Sequence, residues 1–122
     1  MQRLVMPLVD EFHPDLIIVA AGQDASQFDP NGRQCVTMAG FRRLGRLAAA
    51  LAERHCDGRI AVIQEGGYGR TYSALCAHAT LEGVLGVGPL LEDPLAFMPD
   101  EHDRGDAGIE AALAVLRRYW AL

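Results

Sequence analysis

Two short apolar runs constrain the fold more than any other feature of this sequence. Residues 16–21 (LIIVAA) and 59–64 (RIAVIQ) are each bounded by turn-forming residues, and neither alternates cleanly between apolar and polar. Continuous apolar runs of this length are typical of parallel strands that are covered on both faces. The segment between them is long enough for the right-handed crossover that joins parallel strands. The sequence therefore predicts an α/β fold with about two core strands and flanking helices.

Helices are predicted on both sides of these strands. Apolar residues recur with a helical period in four segments, over residues 3–12, 37–55, 72–85 and 107–120. Thr37 is the expected N-cap of the second segment, because its hydroxyl can accept a bond from the first turn of the helix. Residues 91–105 contain two prolines and five acidic residues and are predicted to form a loop.

Composition excludes several classes of protein. The chain has 122 residues, about the size of one small domain, and a formal net charge of −5, so a basic surface for nucleic acid is not expected. No apolar run approaches the roughly 18 residues of a membrane span. Three widely spaced cysteines without a CxxC pair predict reduced thiols, with Cys56 and Cys76 in the core and Cys35 in an exposed loop. We expect a cytoplasmic protein that contacts neither nucleic acid nor membrane directly.

Each predicted strand ends in a polar, glycine-rich loop. Because the carboxyl ends of parallel strands meet at one edge of a sheet, Asp24 and Tyr68 can face one pocket. A carboxylate is a ligand for Zn²⁺, and a phenol can donate to a developing oxyanion. Gly66 and Gly67 would let the backbone approach a substrate closely. The residues alone leave a simpler alternative open, in which both loops are ordinary turns.

Four motifs in a fixed order carry a resemblance to a known family. They are FHPDLIIVAAGQD, DPNG, TMAGF and EGGY, within residues 5–88. One GGY alone would be weak, but the ordered set resembles the C-terminal third of class II-like histone deacetylases and acetylpolyamine amidohydrolases. The resemblance implies a parallel-sheet, three-layer arginase/deacetylase-like fold, present as a partial domain. Residues 1–90 would then be the C-terminal part of the deacetylase-like domain, 91–105 a loop and 106–122 a C-terminal helix.

The resemblance also implies an activity, the zinc-dependent hydrolysis of acetyl-lysine or acetylated amine amides by a metal-activated water. Asp24 matches a zinc ligand of the family. Tyr68 matches the catalytic tyrosine that stabilises the oxyanion. Gly66 and Gly67 match the loop that lines the acyl-lysine tunnel.

Three further residues are expected near this site. Asp29 and Glu65 match positions to which we assign structural roles. Asn31 lies in the substrate pocket, where some polyamine-specific relatives carry a glutamate, so the family resemblance does not imply a strict polyamine preference. A homo-oligomer is possible for a full-length protein of this family.

The remaining metal ligands of the family do not occur in this sequence. Its D-x-H element, which ends an upstream strand, and its adjacent histidine pair are absent, and the one D-x-H sequence here, at residues 100–102, lies in the predicted loop. His13 lies before the first strand, at the wrong end, and His55 and His78 are expected to be surface or half-buried residues on helices. His102 could bind a metal with its acidic neighbours, but we expect it to belong to a solvated charge cluster. We therefore expect the isolated chain to bind zinc weakly and to be inactive. The alternatives are a non-catalytic truncated fragment and a small doubly wound binding module, although the sequence has no GxGxxG or Walker pattern.

Overall fold

Strands and helices alternate along the chain as the sequence predicts. The computed structural model describes residues 1–32, 34–97 and 105–122, so His102 and part of the predicted loop lie outside it. The elements are α1 (Val5–Phe12), β1 (Ile17–Ala21), a 3₁₀ turn (Gln23–Ala25), α2 (Met38–Cys56), β2 (Ile60–Gln64), α3 (Tyr72–Leu85) and α4 (Asp106–Leu116). No helix among the described residues is long and apolar enough to cross a lipid bilayer.

The two strands form a small parallel sheet. They pair in register from Ile17 opposite Ile60 to Ala21 opposite Gln64, and α2 is the crossover between them. The pairing continues one step further, because the N–H of Glu65 donates to the carbonyl of Ala21 at 3.2 Å. Both strands therefore end at the same edge of the sheet, and the predicted α/β arrangement is confirmed.

The prediction that both faces of the strands are covered is wrong for the part of the chain that the structure describes. Helix α2 contacts both strands from one face, whereas Ile18 and Ile63 on the other face are 60% and 49% exposed. Alternate residues of a strand point to opposite faces, so an apolar run can be half-exposed when one layer is missing. The exposed face therefore has the composition of a buried one.

Helices α2 and α3 approach each other to backbone contact. A Cβ atom on Gly83 would lie 2.1 Å from the carbonyl oxygen of Arg42, and one on Gly45 would lie 2.4 Å from that of Thr80. Neither position can hold a larger residue unless the helices move apart. This close crossing fixes the distance between α2 and α3, the helices that follow the loops after β1 and β2.

A buried cluster joins the first turns of α2 and α3. Met38, Phe41, Tyr72, Cys76 and Ala79 form the core there. The Tyr72 hydroxyl accepts a bond from the N–H of Met38 at 3.2 Å and donates to the carboxylate of Asp93 at 3.1 Å. Burial raises the pKa of Tyr72 above its ordinary value, which keeps the hydroxyl protonated as a donor.

The cysteines lie where the sequence predicts. Cys35 is exposed, whereas Cys56 and Cys76 are buried. Burial raises the pKa of the Cys76 thiol to about 12, with the Asp93 carboxylate adding to the effect. The Cys76 thiol is therefore a protonated core group and not a nucleophile.

A buried ion pair also links α2 to α3. The Glu82 carboxylate, 2% exposed, lies 2.6 Å from the Arg42 guanidinium and accepts the N–H of Leu90 at 2.6 Å. The Leu90 N–H lowers the pKa of Glu82; burial opposes this shift, and Arg42 strengthens it. His78 of the same helix lies 3.2 Å from the carboxylate. The ionised form of Glu82 is therefore stabilised in the folded protein.

Helix α4 lies near α1, and contacts at both ends join the two segments. Arg3 forms ion pairs with Asp106 and Glu110, and the ring centroids of Trp120 and Phe12 lie 6.1 Å apart. The helix ends at Leu116, four residues before the predicted end. A turn after Leu116 brings Trp120 to Phe12, a tertiary contact that the helical period alone does not encode.

We predict that Gly83→Ala destabilises the fold by about 1–3 kcal/mol, because the added methyl group would overlap the backbone of α2. Gly108→Ala, in α4 with open space around it, is the matched control and should be neutral or stabilising by up to roughly 1 kcal/mol through helix propensity. Urea unfolding of the three proteins measures both effects. Equal free energies of unfolding for Gly83→Ala and the parent chain would contradict the close helix crossing.

We also predict that the contribution of Glu82 to stability depends on pH. A carboxyl whose pKa is lowered by folding stabilises the fold above its unfolded pKa, about 4.3, and loses this contribution as the pH falls through the lower folded pKa. Glu82→Gln should therefore be less stable than the parent chain at pH 7, and the difference should shrink as the pH falls below about 4. Urea midpoints at several pH values measure this, with the exposed Glu53→Gln as control. A difference that stays constant with pH would exclude the ionised Glu82 as its source.

Candidate active site

The carboxyl ends of β1 and β2 lead into two loops that lie against each other. The first loop covers residues 22–36, and the second covers residues 65–71. The N–H of Gln23 donates to the carbonyl of Gly66 at 2.8 Å, which joins the loops directly after the sheet ends. Within the first loop, the N–H of Val36 donates to the carbonyl of Ala25 at 2.9 Å, so the loop folds back on itself. The two glycine-rich segments thus form one surface.

Asp24 lies on the 3₁₀ turn after β1, with its carboxylate packed between two glycines. A Cβ atom on Gly66 would lie 2.8 Å from both Cγ and Oδ2 of Asp24, and one on Gly22 would lie 2.5 Å from Oδ1. Side chains at these two positions would displace the carboxylate. The structure therefore brings together two of the predicted site residues, Asp24 and Gly66, and adds Gly22 to them.

Gly67 turns the second loop away from the sheet. Its φ of 137° lies in a region that residues with a side chain rarely adopt. A Cβ atom there would also lie 3.2 Å from Cβ of Gln23 and 3.3 Å from Cβ of Ser73. The next residue, Tyr68, is 57% exposed. Gly67 thus lets the backbone pass close to the first loop while Tyr68 reaches the surface.

Asp29 holds the two loops together through four backbone hydrogen bonds. Its Oδ1 atom accepts the N–H groups of Asn31 at 2.9 Å and Gly32 at 3.1 Å within its own loop. Its Oδ2 atom accepts those of Tyr68 at 2.7 Å and Gly69 at 3.0 Å in the other loop. The position of the tyrosine backbone is therefore set by a carboxylate 39 residues earlier in the chain.

These bonds decide the ionisation of Asp29, which is only 7% exposed. Burial raises the pKa of this carboxyl, but the N–H donors of Asn31, Tyr68, Gly69 and Gly32 outweigh it and hold the pKa below the ordinary value. Hydrogen bonds from N–H groups favour the charged form, since only that form accepts on both oxygens without a competing proton. Asp29 is therefore an ionised structural anchor near neutral pH.

The other two predicted residues lie at the rim. Asn31 is exposed, and its N–H is one of the donors to Asp29. Glu65 is exposed as well, and its N–H makes the last bond of the sheet to Ala21. Both residues take part in the site through their backbone, and the side chains face outwards from the loops.

The three histidines that the structure describes lie away from this edge. His13 and His55 are near the amino ends of the strands, with ring centroids 5.5 Å apart, and His55 Nε2 lies 2.7 Å from an oxygen of Asp10. His78 lies beside Glu82 on α3. Among residues 1–32, 34–97 and 105–122, no group of three His, Cys, Asp or Glu side chains is placed to hold a metal ion. The Asp24 carboxylate could be one ligand of a zinc ion, but the described residues do not supply the other ligands of a zinc site.

Two residues of this surface were not identified from the sequence. Gln23 is 1% exposed between Gly22 and Asp24, and a polar residue there carries no pattern that marks it as buried. Phe28 has a φ of 61° and is 69% exposed. A phenylalanine in left-handed backbone is unusual, because glycine or asparagine is the common choice, so no sequence rule would place it there.

Proteins of known family are similar to this chain in sequence. The family model described as "Histone deacetylase domain" matches residues 1–84. Histone deacetylase 8 of Arabidopsis thaliana is 49% identical over 112 residues, which cover 91% of this chain and 30% of the relative. A histone deacetylase-like amidohydrolase of Pseudomonas aeruginosa is 41% identical over 95 residues, which cover 78% of this chain and 25% of the relative.

The fold is shared as well. The crystal structure of the HDA15 HD domain superposes with a TM-score of 0.77 and 31% sequence identity, over 98% of this chain and 30% of that one. The chain therefore spans less than a third of the length of each of these proteins. Its small parallel sheet and flanking helices are a part of the arginase/deacetylase-like fold, as the motif order predicts. Sequence and structure together show that the chain belongs to the histone deacetylase family.

Proposed function

We propose that this chain is the C-terminal portion of a zinc-dependent deacetylase that hydrolyses acetyl-lysine or acetylated amine amides. The observation that carries the proposal is the shared edge of the sheet, where the Asp24 carboxylate packs against Gly66, two residues before Tyr68. Asp29 ties the two loops together there. Membership of the histone deacetylase family supports the reaction class.

Tyr68 is the group that we assign to the reaction itself. When water attacks an amide carbonyl, negative charge develops on the carbonyl oxygen, and a hydrogen-bond donor placed beforehand stabilises it without reorganisation. The Tyr68 hydroxyl is such a donor, on an exposed side chain whose backbone N–H is bound by Asp29 at 2.7 Å. In this proposal Tyr68 keeps its proton and donates a hydrogen bond to the oxyanion.

Asp24 is the residue that we assign to zinc. A zinc ion held by Asp24 and by ligands from elsewhere in a complete deacetylase would polarise the carbonyl and lower the pKa of the attacking water. The narrow space left by Gly22 and Gly66 holds the Asp24 carboxylate in place. Because the 122 residues hold no histidine pair and no D-x-H element at the end of a strand upstream of β1, we propose that the chain alone has no activity.

The substrate class follows from the rim. Asn31 is neutral and exposed, so this position offers no charge to a distant ammonium group of a polyamine. Both acetylated lysine and small acetylated amines therefore stay within the proposal. A net charge of −5 argues against direct contact with nucleic acid, and the widely spaced cysteines favour a cytoplasmic protein. We include in the proposal the homo-oligomer that is possible for a full-length protein of this family.

The missing ligands also support a second candidate function. A chain with one metal-binding carboxylate and no base could be a non-catalytic fragment. The other alternative, a small doubly wound binding module, is dropped because the chain belongs to the histone deacetylase family. The two candidates differ in whether Tyr68 and Asp24 support hydrolysis when the rest of the deacetylase domain is supplied. A hybrid deacetylase, in which these 122 residues replace the matching segment of the Arabidopsis relative, provides that part.

We predict that the hybrid deacetylase hydrolyses a fluorogenic acetyl-lysine peptide and that Tyr68→Phe lowers kcat by about 10²–10³-fold, because one oxyanion donor is lost. Zinc content and melting temperature should be unchanged, since the Tyr68 side chain is exposed. The isolated chain should show no activity above the blank. A folded, zinc-loaded hybrid with equal rates for both variants would overturn the role of Tyr68. Activity of the isolated chain that Tyr68→Phe abolishes would overturn the incomplete site.

We predict that Asp29→Asn lowers kcat of the hybrid deacetylase by about 10–100-fold, because the amide NH₂ would face backbone N–H donors and displace the Tyr68 loop. Asp57→Asn is the matched control, since this side chain is 90% exposed in the turn after α2, and it should leave kcat unchanged. Steady-state kinetics and zinc content measure the outcome. Full activity in Asp29→Asn would show that the tyrosine does not depend on this anchor.

A further inference from the structure

Phe28 combines two features that folding does not require. Its φ of 61° puts a bulky residue into left-handed backbone, and its side chain is 69% exposed. Its two neighbours along the chain are buried, with Gln27 6% and Asp29 7% exposed. Strained backbone conformations persist where the surroundings fix them, and they concentrate at functional sites. Among the described residues the Phe28 ring gains little from burial, so it is available to contact a ligand.

The position of Phe28 is set by the same anchor as that of Tyr68. Asp29, the next residue, accepts the N–H groups of Tyr68 and Gly69. The carbonyl oxygen of Phe28 lies 3.6 Å from the place that a Cβ atom on Gly69 would occupy. The backbone of Phe28 therefore abuts the tyrosine loop. The backbones of two exposed aromatic residues, Phe28 and Tyr68, are thus held in adjoining loops at the candidate site.

We propose that Phe28 is a specificity-determining residue, which binds an apolar residue next to the acetyl-lysine of a polypeptide substrate. This inference rests on the proposed deacetylase function. An exposed aromatic ring supplies a large apolar contact surface and loses little conformational entropy on binding, because it has only two side-chain torsions. A small acetylated amine has no side chain that could reach such a ring. Phe28 therefore favours acetylated polypeptides over small acetylated amines.

Charge at the rim gives a second reason for this choice. An ammonium group is attracted to an aromatic face, but strong recognition needs desolvation or several rings. The neighbouring rim residue Asn31 is neutral and exposed, so this position offers no carboxylate to a polyamine; the exposed carboxylate of the rim is that of Glu65, at the start of the other loop. An apolar neighbour in a peptide needs only the ring itself.

The test compares three substrates in the hybrid deacetylase, an acetyl-lysine peptide flanked by leucine, the same peptide flanked by glycine, and N-acetylputrescine. Phe28→Gly should lower kcat/KM about tenfold for the leucine-flanked peptide, because the apolar contact is lost, and should change the other two by less than twofold. Phe28→Tyr should keep the preference for leucine. Tyr119→Ala, which removes a 77% exposed aromatic beyond α4, should leave all three rates unchanged.

Melting temperatures separate specificity from folding. Glycine adopts a φ of 61° without strain, so Phe28→Gly should melt at or above the temperature of the parent hybrid. Equal losses on all substrates, no loss on the leucine-flanked peptide, or a larger loss on N-acetylputrescine would overturn the inference. A hybrid that hydrolyses none of the substrates would overturn the proposed function and this inference with it. An active hybrid that is indifferent to Phe28 would overturn the inference alone.

Discussion

The candidate site depends on the hydrogen bonds that the Asp29 carboxylate accepts from backbone N–H groups. The sheet ends at Ala21 and Gln64, and among the residues that the structure describes two backbone bonds, from Glu65 and from Gln23, join the chain segments directly beyond it. From a buried position, Asp29 adds two bonds between the loops, from Tyr68 and Gly69, and two bonds within its own loop, from Asn31 and Gly32. A carboxylate that accepts several N–H groups is held in its charged form and in one orientation, so it fixes two flexible segments at once. Without it, the tyrosine loop would be attached to the first loop mainly through Gly66.

The helices fix the far ends of the same two loops. The first loop runs into α2 at Met38, and the second runs into α3 at Tyr72; these two residues meet through the Tyr72 hydroxyl and Asp93. Backbone contact at Gly45 and Gly83 sets the spacing of the two helices further along. Each loop is thus anchored where it leaves the sheet, at its middle by Asp29 and where it enters its helix. Rigid anchoring at several points is what an oxyanion donor such as Tyr68 would require, because a donor must be in place before charge develops.

The sequence predicted local features well and long-range ones poorly. Thr37 caps α2 through the N–H of Gly40 at 3.2 Å, and α3 spans Tyr72–Leu85 as predicted, because caps and helical period are written within a few residues. The turn bonds of Asp29 to Asn31 and Gly32 follow from the same local chemistry. Its bonds to Tyr68 and Gly69 do not, since they depend on how two distant loops meet. Nor could a pattern show the left-handed backbone of Phe28, which only its buried neighbours can impose.

The open sheet face and the incomplete metal site have a common physical origin. Ile18 and Ile63 have the character of buried strand residues but are exposed, and Asp24 has the character of a zinc ligand without companions among the described residues. A parallel strand is stable when layers cover both of its faces, and a catalytic zinc takes about three protein ligands. The relatives, of which this chain covers 30% or less in the cases compared, have further chain that can serve both purposes. A parallel strand added beside β1 or β2 would end at the same edge as Asp24, and that edge is where a D-x-H element and a histidine pair would have to lie to complete the proposed zinc site.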